Sequence, residues 1–169
     1  ALVGHSMGAF EAMEVGLSEP SVTAVAALGP PRRTAAILAT AEGRDYHWDR
    51  IQRTYRSVYH RPLPADFTRE RFLELKAQRN IDRFLPRWMM PGHVPLLLID
   101  GGSEPVEDLE YLREYADRVV SRSAYVTIPN SDHYLNTGRA GDLLYYDRLA
   151  VSAAADIIAD FVTKASAVR

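Results

Sequence analysis

The residues best suited to chemistry stand almost at the start of the sequence, where Gly4-His5-Ser6-Met7-Gly8 follows the apolar stretch Ala1-Leu2-Val3. The pattern G-x-S-x-G is typical of a sharp strand-to-helix turn that exposes a nucleophilic serine at the edge of a sheet. The flanking glycines are expected to remove Cβ atoms that would clash in so tight a turn. The helix predicted from about Met7 to Leu17 directs its free N–H groups at the serine, so the Met7 N–H is a candidate oxyanion donor.

A serine hydroxyl is a poor nucleophile at neutral pH, so the turn predicts a histidine base and a carboxylate that orients it. Both follow in order, each just after an apolar run. Pro95–Ile99 is followed by Asp100 and Glu104, and 124–128 is followed by His133. These loops lie beyond the carboxyl ends of predicted strands, where open α/β sheets place their sites.

His133 is the strongest candidate base, and the other histidines are expected to have structural or surface roles: His5, His47, His60 and His93. His5 occupies the variable position of the turn and is expected to pack beneath the nucleophile. The sequence has no pair of histidines at i, i+4, no Asp-rich loop and no Gly-rich phosphate loop. We therefore expect neither a metal site nor a cofactor.

Composition excludes several classes of partner. With 169 residues, 47% of them hydrophobic, and a net charge of -2, the chain is expected to be globular, with no long-range attraction to nucleic acid or anionic membrane. A small-molecule partner is therefore expected. The absence of cysteine excludes disulfides and thiolate chemistry but leaves the compartment open, and no apolar run has the length of a membrane span. A cytoplasmic location is the default expectation.

The elements that must position these residues alternate between strand and helix, which predicts an α/β fold with a parallel sheet of about four strands and crossover helices. Predicted strands cover 1–3, 22–28, 95–99 and 124–128, and further helices are predicted over 107–119 and 143–164. Core segments are thus expected at residues 1–29 and 93–169.

Residues 30–92 differ in composition, with prolines punctuating aromatic and charged helical stretches. This segment is predicted to be a helical cap insertion. Its charges are of mixed sign and are interpreted as a solvated helix face rather than a nucleic-acid patch. Its aromatic and methionine side chains either form the cap's own core, which is the better expectation for most of them, or line a substrate pocket, for which the candidates are Tyr46, Trp48, Trp88 and Met89.

The turn at Ser6, the segment 100–105 and the segment 129–133 together resemble the α/β-hydrolase superfamily, and the resemblance covers nearly the whole chain outside the cap. In that family the acid commonly stands three residues after a glycine that closes a strand, which corresponds to Gly101 and Glu104. The resemblance thus implies a catalytic triad of Ser6, Glu104 and His133, with Asp100 as the alternative acid.

The sequence also departs from the family, which places four or five strands before the serine turn. What remains corresponds to the C-terminal half of an α/β-hydrolase fold, whose serine strand is expected to be an exposed edge, and the loop that supplies a second oxyanion donor is not present. An N-terminal portion of the same protein or a partner chain is expected to pair with this edge. The rival expectation is a free-standing half that pairs with itself.

These features favour a serine hydrolase that cleaves a carboxylic ester or thioester through an acyl-enzyme on Ser6, acting on a small-molecule acyl substrate. Acyl transfer to an alcohol or amine, and peroxidative variants, are equally compatible with the triad. A non-catalytic binding or assembly module on a hydrolase scaffold is the alternative from another class. The presence of Ser6, Glu104 and His133 weighs against that alternative, because binding alone requires none of them.

Overall fold

Four parallel strands, arranged side by side in the order of the sequence, form the sheet that carries the candidate site. The structure is a computed structural model, and it describes residues 1–32, 34–58, 60–119, 123–135 and 148–167. The strands are β1 (Leu2–His5), β2 (Val25–Leu28), β3 (Leu96–Gly101) and β4 (Ser123–Ile128). The α-helices are α1 (Met7–Gly16), α2 (Thr34–Ala39), α3 (Ala41–Val58), α4 (Arg69–Gln78), α5 (Leu85–Trp88), α6 (Val106–Arg118) and α7 (Arg148–Ser166), with a 3₁₀ turn at Ile81–Phe84.

The register of the parallel sheet places the carboxyl ends of all four strands side by side at the same end of the sheet. Leu2 lies opposite Val25, Val25 opposite Leu96, and Leu96 opposite Ser123. Every residue of β2 and β3 is buried, as expected for central strands of a parallel sheet covered on both faces. The predicted parallel sheet of about four strands is therefore confirmed.

β1 lies at the edge of the sheet within the described part of the chain, because its one strand partner there is β2. The side chain of Val3 is 56% exposed, whereas the side chains of β2 are buried. The expectation that the serine strand forms an edge is thus met, and Val3 and His5 on β1 are left exposed by the described residues.

The two faces of the sheet hold separate apolar clusters, because side chains alternate along each strand. Val25, Ala27, Leu96 and Leu98 point to one face, where side chains of α1 and α6 join them. Ala26, Leu28, Leu97 and Ile99 point to the other face, where Ala150 and Ala154 of α7 cover them. The predicted helix over 143–164 is present from Arg148, and its first five positions lie outside the described residues.

The chain divides into two units, Ala1–Pro31 with Ile81–Arg169, and Arg32–Asn80. Residues 81–92 therefore belong to the larger unit. The sequence had assigned them to the insertion because of their prolines. The physical reason is apolar packing, since Ile81, Phe84, Leu85 and Trp88 are all buried in the cluster that contains Val25. The hydroxyl of Tyr115, whose pKa is raised chiefly by burial, donates to the Ile81 carbonyl at 3.0 Å and anchors the start of this segment.

The smaller unit consists of α2, α3 and α4. The rings of Trp48 and Phe72 lie 5.8 Å apart, and the Thr68 hydroxyl caps α4 by accepting the Arg71 N–H at 3.3 Å. The sequence predicts that the charged side chains of this unit are solvated, and Lys76 departs from that prediction. Burial, reinforced by Arg50 and Arg79, lowers the pKa of Lys76 to about 8.

None of the described helices combines the length and the apolar character that a bilayer span requires.

Candidate active site

Ser6 stands at the junction of β1 and α1 in a strained backbone conformation, with φ 53° and ψ -114°. A positive φ is uncommon for a residue that carries a side chain, and such strain concentrates at functional sites. The Ser6 carbonyl accepts the Ala9 N–H at 3.1 Å, but its hydroxyl does not cap the helix. Met7 begins α1, and N–H groups of a first helical turn have no partner within the helix. The turn thus presents a hydroxyl beside an N–H that is suited to an oxyanion.

The two glycines of the turn are not equivalent, which corrects the expectation that both relieve a clash. A Cβ atom on Gly4 would overlap the Gly8 carbonyl and would lie 2.7 Å from the Ala9 nitrogen, so β1 and α1 approach closely only because position 4 is glycine. A Cβ atom on Gly8 would meet nothing within 4 Å among the described residues. Gly4 is therefore the steric requirement of the turn.

Alanine substitutions should separate these two glycines. We expect Gly4→Ala to lower the free energy of unfolding by about 1–3 kcal/mol, because backbone atoms must move to admit the methyl group. Gly8→Ala should leave the free energy of unfolding unchanged or raise it by up to about 1 kcal/mol, since alanine is the better helix former. Urea unfolding of the two variants checks this prediction, and equal losses would contradict it.

His133 and Glu104 are brought together by the loops after β4 and β3. His133 Nδ1 lies 3.8 Å from Glu104 Oε1, with the two side chains 21% and 17% exposed. This separation is within ion-pair range and longer than a hydrogen bond. Asp100, at the end of β3, is only 1% exposed, and a ligand atom of each of the three residues lies within 4.8 Å of the other two. Both candidate acids therefore adjoin the candidate base.

The same three residues have the donor types and spacing of a divalent-cation site. A cation there would occupy the imidazole nitrogen that a triad needs for a proton, so the two uses of the cluster are mutually exclusive. The serine turn beside the cluster favours the use as an acid–base pair.

The acid loop and the histidine loop are hydrogen-bonded to each other. The Ser103 N–H donates to the Ser131 carbonyl at 2.8 Å, and the buried Ser131 hydroxyl donates to the Ile128 carbonyl at 2.9 Å. A Cβ atom on Gly101 would overlap the backbone carbonyls of Ser131 and Asp132. The backbones of the two loops are thus held together next to the Glu104–His133 pair.

The ring of His133 packs against Gly29, the residue that follows β2. Gly29 has φ +51°, and a Cβ atom there would lie 2.8 Å from both Nδ1 and Cε1 of His133. The preceding residue, Leu28, accepts the Ser6 N–H at 2.8 Å. The candidate nucleophile and the candidate base therefore adjoin the same segment.

Backbone hydrogen bonds also join the residue that follows each of the first three strands to the neighbouring strand. The N–H groups of Ser6, Gly29 and Gly102 donate to the carbonyls of Leu28, Ile99 and Ile128, each at 2.8 Å. In each case the donor is at or just beyond the end of one strand, and the acceptor belongs to the next. The turns that carry the candidate site are thus held in the register of the sheet.

His5 was expected to pack beneath Ser6, but it contacts the histidine loop instead. Its exposed ring places Nε2 2.7 Å from the His133 carbonyl, and the two histidine rings lie 5.1 Å apart. β1 has the alternating exposure of an edge strand, which directs this side chain away from the buried core.

The proposed pocket residues belong to two different units. Trp88 is fully buried in the core of the larger unit, which corrects its assignment to substrate binding, whereas Met89 is 38% exposed. Tyr46 and Trp48 belong to the smaller unit, where Tyr46 is 53% exposed.

Gly29 and Ser131 were missed by sequence reasoning, and the contacts of His5 and Gly101 were not predicted. A glycine directly after an apolar run, as at 29, is the signal that could have indicated a close approach at a strand end.

Residues 1–145 match the family model described as "Alpha/beta hydrolase family". Among solved structures, an esterase from Pyrococcus furiosus is similar over 96% of this chain and 52% of its own, with 18% identity and a TM-score of 0.57. An enol-lactonase from Burkholderia xenovorans is similar over 95% of this chain and 64% of its own, with 17% identity and a TM-score of 0.55.

The Vlm2 thioesterase domain is similar over 94% of this chain and 68% of its own, with 18% identity and a TM-score of 0.54. The chain thus spans about half to two thirds of the length of these structures. A comparison with curated proteins found no match.

Proposed function

Because the chain belongs to the alpha/beta hydrolase family, we propose that it carries the nucleophile, base and acid of a serine hydrolase that cleaves a carboxylic ester or thioester. The observation that carries this proposal is the convergence of three features at the carboxyl edge of the sheet. They are the strained Ser6 turn, the His133–Glu104 pair at 3.8 Å and the segment 28–29 that touches both.

The chemistry divides into acylation and deacylation. The Ser6 oxygen attacks the acyl carbon while His133 Nε2 accepts the serine proton, and the Met7 N–H binds the negative oxygen of the tetrahedral intermediate. The intermediate collapses by breaking the bond to the alcohol or thiol, which leaves with the proton from His133. Water then attacks the acyl-enzyme, giving a proton to His133, and release of the acid returns that proton to Ser6.

Glu104 has the orienting role in this mechanism. Its carboxylate accepts the Nδ1–H of His133, which selects the tautomer with a basic Nε2 and balances the positive charge when the ring is protonated. A contraction of the 3.8 Å separation by less than about 1 Å forms the hydrogen bond. The backbone contacts between the two loops keep both side chains within this range.

The open edge of β1 supports a second element of the proposal. We propose that further strands, from an N-terminal portion of the same protein or from a partner chain, pair with β1 and cover Val3. The similar structures support this, because each is longer than this chain and about a third to a half of its length has no counterpart here. In the proposed assembly these residues supply the second oxyanion donor.

The substrate class is proposed from the chemistry of the site and from the names of the similar structures. An esterase, a thioesterase domain and an enol-lactonase share this fold, and all three names refer to an ester, a thioester or a lactone. We propose a small-molecule ester or thioester. Acyl transfer to an alcohol or amine uses the same acyl-enzyme and differs only in the acceptor.

Labelling with a fluorophosphonate tests the proposal. We expect one adduct on the peptide that contains Ser6, and no adduct in Ser6→Ala. Reaction of an activated ester with added alcohol or hydroxylamine then shows whether water or another acceptor takes the acyl group. Absence of labelling in the protein together with its sheet-completing residues would favour the binding-module alternative.

The choice between the two acids gives a separate prediction. We expect Glu104→Gln to lower kcat by about 100- to 10,000-fold, because the base loses the charge that stabilises its protonated form. Asp100→Asn, which keeps the size of a buried side chain, should lower kcat by less than about tenfold. Steady-state kinetics with thermal unfolding as the control decides the matter, and a larger loss in Asp100→Asn would make Asp100 the acid.

A further inference from the structure

His5 has no part in the mechanism above, although it directly precedes Ser6 and contacts the base. Its Nε2 lies 2.7 Å from the backbone carbonyl of His133. Its ring is also 5.1 Å from the His133 ring and 6.0 Å from the Tyr134 ring. One exposed side chain thus joins the nucleophile's strand to the loop that carries the base.

The direction of this hydrogen bond follows from the acceptor. A carbonyl oxygen can only accept, so His5 must carry a proton on Nε2 and donate it to His133. The imidazole acts here through that single N–H, because Nδ1 does not contribute to the bond. Any side chain that places an N–H at the same position can therefore replace it.

Two further bonds of the histidine loop lie on its acid side or within the loop itself. The Ser131 carbonyl is held by the Ser103 N–H, and the Asp132 carboxylate accepts the Tyr134 N–H at 2.8 Å. These contacts fix His133 relative to Glu104. The His5 bond instead fixes the backbone of His133 relative to β1, the strand that ends at the nucleophile.

We propose that His5 is a positioning residue, which sets the separation between the His133 ring and the Ser6 hydroxyl by holding the His133 carbonyl from the nucleophile's own strand. The proposal rests on the proposed function, since the separation matters only if Ser6 and His133 react together. His5 does not touch the reacting atoms. Its effect is on the fraction of molecules in which the base is within reach of the serine proton.

Two variants of His5 distinguish the hydrogen bond from mere packing. His5→Gln keeps an N–H donor at the same number of bonds from Cα, and His5→Phe keeps an aromatic ring without a donor. We expect His5→Phe to lower kcat roughly tenfold with KM unchanged, the loss that corresponds to one hydrogen bond of a neutral group. His5→Gln should remain within about threefold of the parent. Equal activities of His5→Phe and the parent, or equal losses in both variants, would overturn the proposal.

A second readout does not depend on turnover. The Nδ1–H proton of His133 should give a downfield NMR resonance when it is held against Glu104, and this resonance can be followed in protein that carries Ser6→Ala. We expect it to persist with His5→Gln and to broaden with His5→Phe, because the loop then samples more than one position. If labelling at Ser6 fails while this resonance still responds to His5, the proposed function is wrong and the positioning contact stands. If labelling succeeds and neither readout responds, the contact has no positioning role.

Discussion

Replacement of His133 by alanine should reduce kcat/KM for an activated ester by at least about 1,000-fold and abolish rapid labelling at Ser6. The serine then has no base to accept its proton, and the leaving group has no acid to donate one. The loss should fall on kcat with KM little changed, because the imidazole acts in the transition state and not in ground-state binding. Single-turnover kinetics with an activated ester measures the effect on acylation directly.

We also expect the losses of activity in the two single variants not to add up in the double variant. Ser6→Ala, His133→Ala and the double variant should have residual rates within a few-fold of one another, since the residues act as one unit. His93→Gln is the matched control, because that ring packs on Trp88, with ring centroids 5.9 Å apart, and Trp88 belongs to the apolar cluster that contains Val25. A double variant with a loss near the product of the single losses would mean that Ser6 and His133 act independently.

Replacement of Gly29 by alanine should lower kcat by about 100-fold. The added methyl carbon would lie 2.8 Å from Nδ1 and Cε1 of His133, so the ring must move away from the strand end. A displacement of about 1 Å at a catalytic group has a cost of this order. The positive φ of 51° adds a loss of stability of about 1–2 kcal/mol.

Gly92→Ala separates strain from displacement. Gly92 has φ +93°, and a Cβ atom there would meet nothing within 4 Å among the described residues. We therefore expect Gly92→Ala to lose stability without losing kcat. Steady-state kinetics and thermal unfolding of the two variants, measured side by side, check the prediction. Full activity in Gly29→Ala would show that the base does not depend on this contact.

Local patterns were sufficient to predict the strands, and they gave the candidate residues of the site. A short apolar run followed by glycine or a charge identifies a buried strand and its end, so the four strands were predicted within a few residues. Ser6, Glu104 and His133 follow such runs, and the rule that sites lie at the carboxyl ends of parallel strands made them candidates.

The contacts that fix the geometry could not be predicted in this way, because they join distant segments. His5 and His133 are separated by 128 positions in the sequence, and neither neighbourhood contains a sign of the other. The packing of Gly29 on His133 depends on the twist and register of three strands. The assignment of 81–92 depended on tertiary burial, which proline spacing does not report.

The hydrogen bonds from Ser6, Gly29 and Gly102 to the next strand have a consequence for how the site comes apart. Amide groups bonded in this way exchange with solvent only when the bond opens, and here opening requires neighbouring strands to separate. The turns that bear Ser6, the Gly29 contact to His133 and the candidate acid therefore share the exchange protection of the sheet ends rather than that of ordinary surface loops. We expect heating to disrupt the geometry of these turns together with the sheet and not before it.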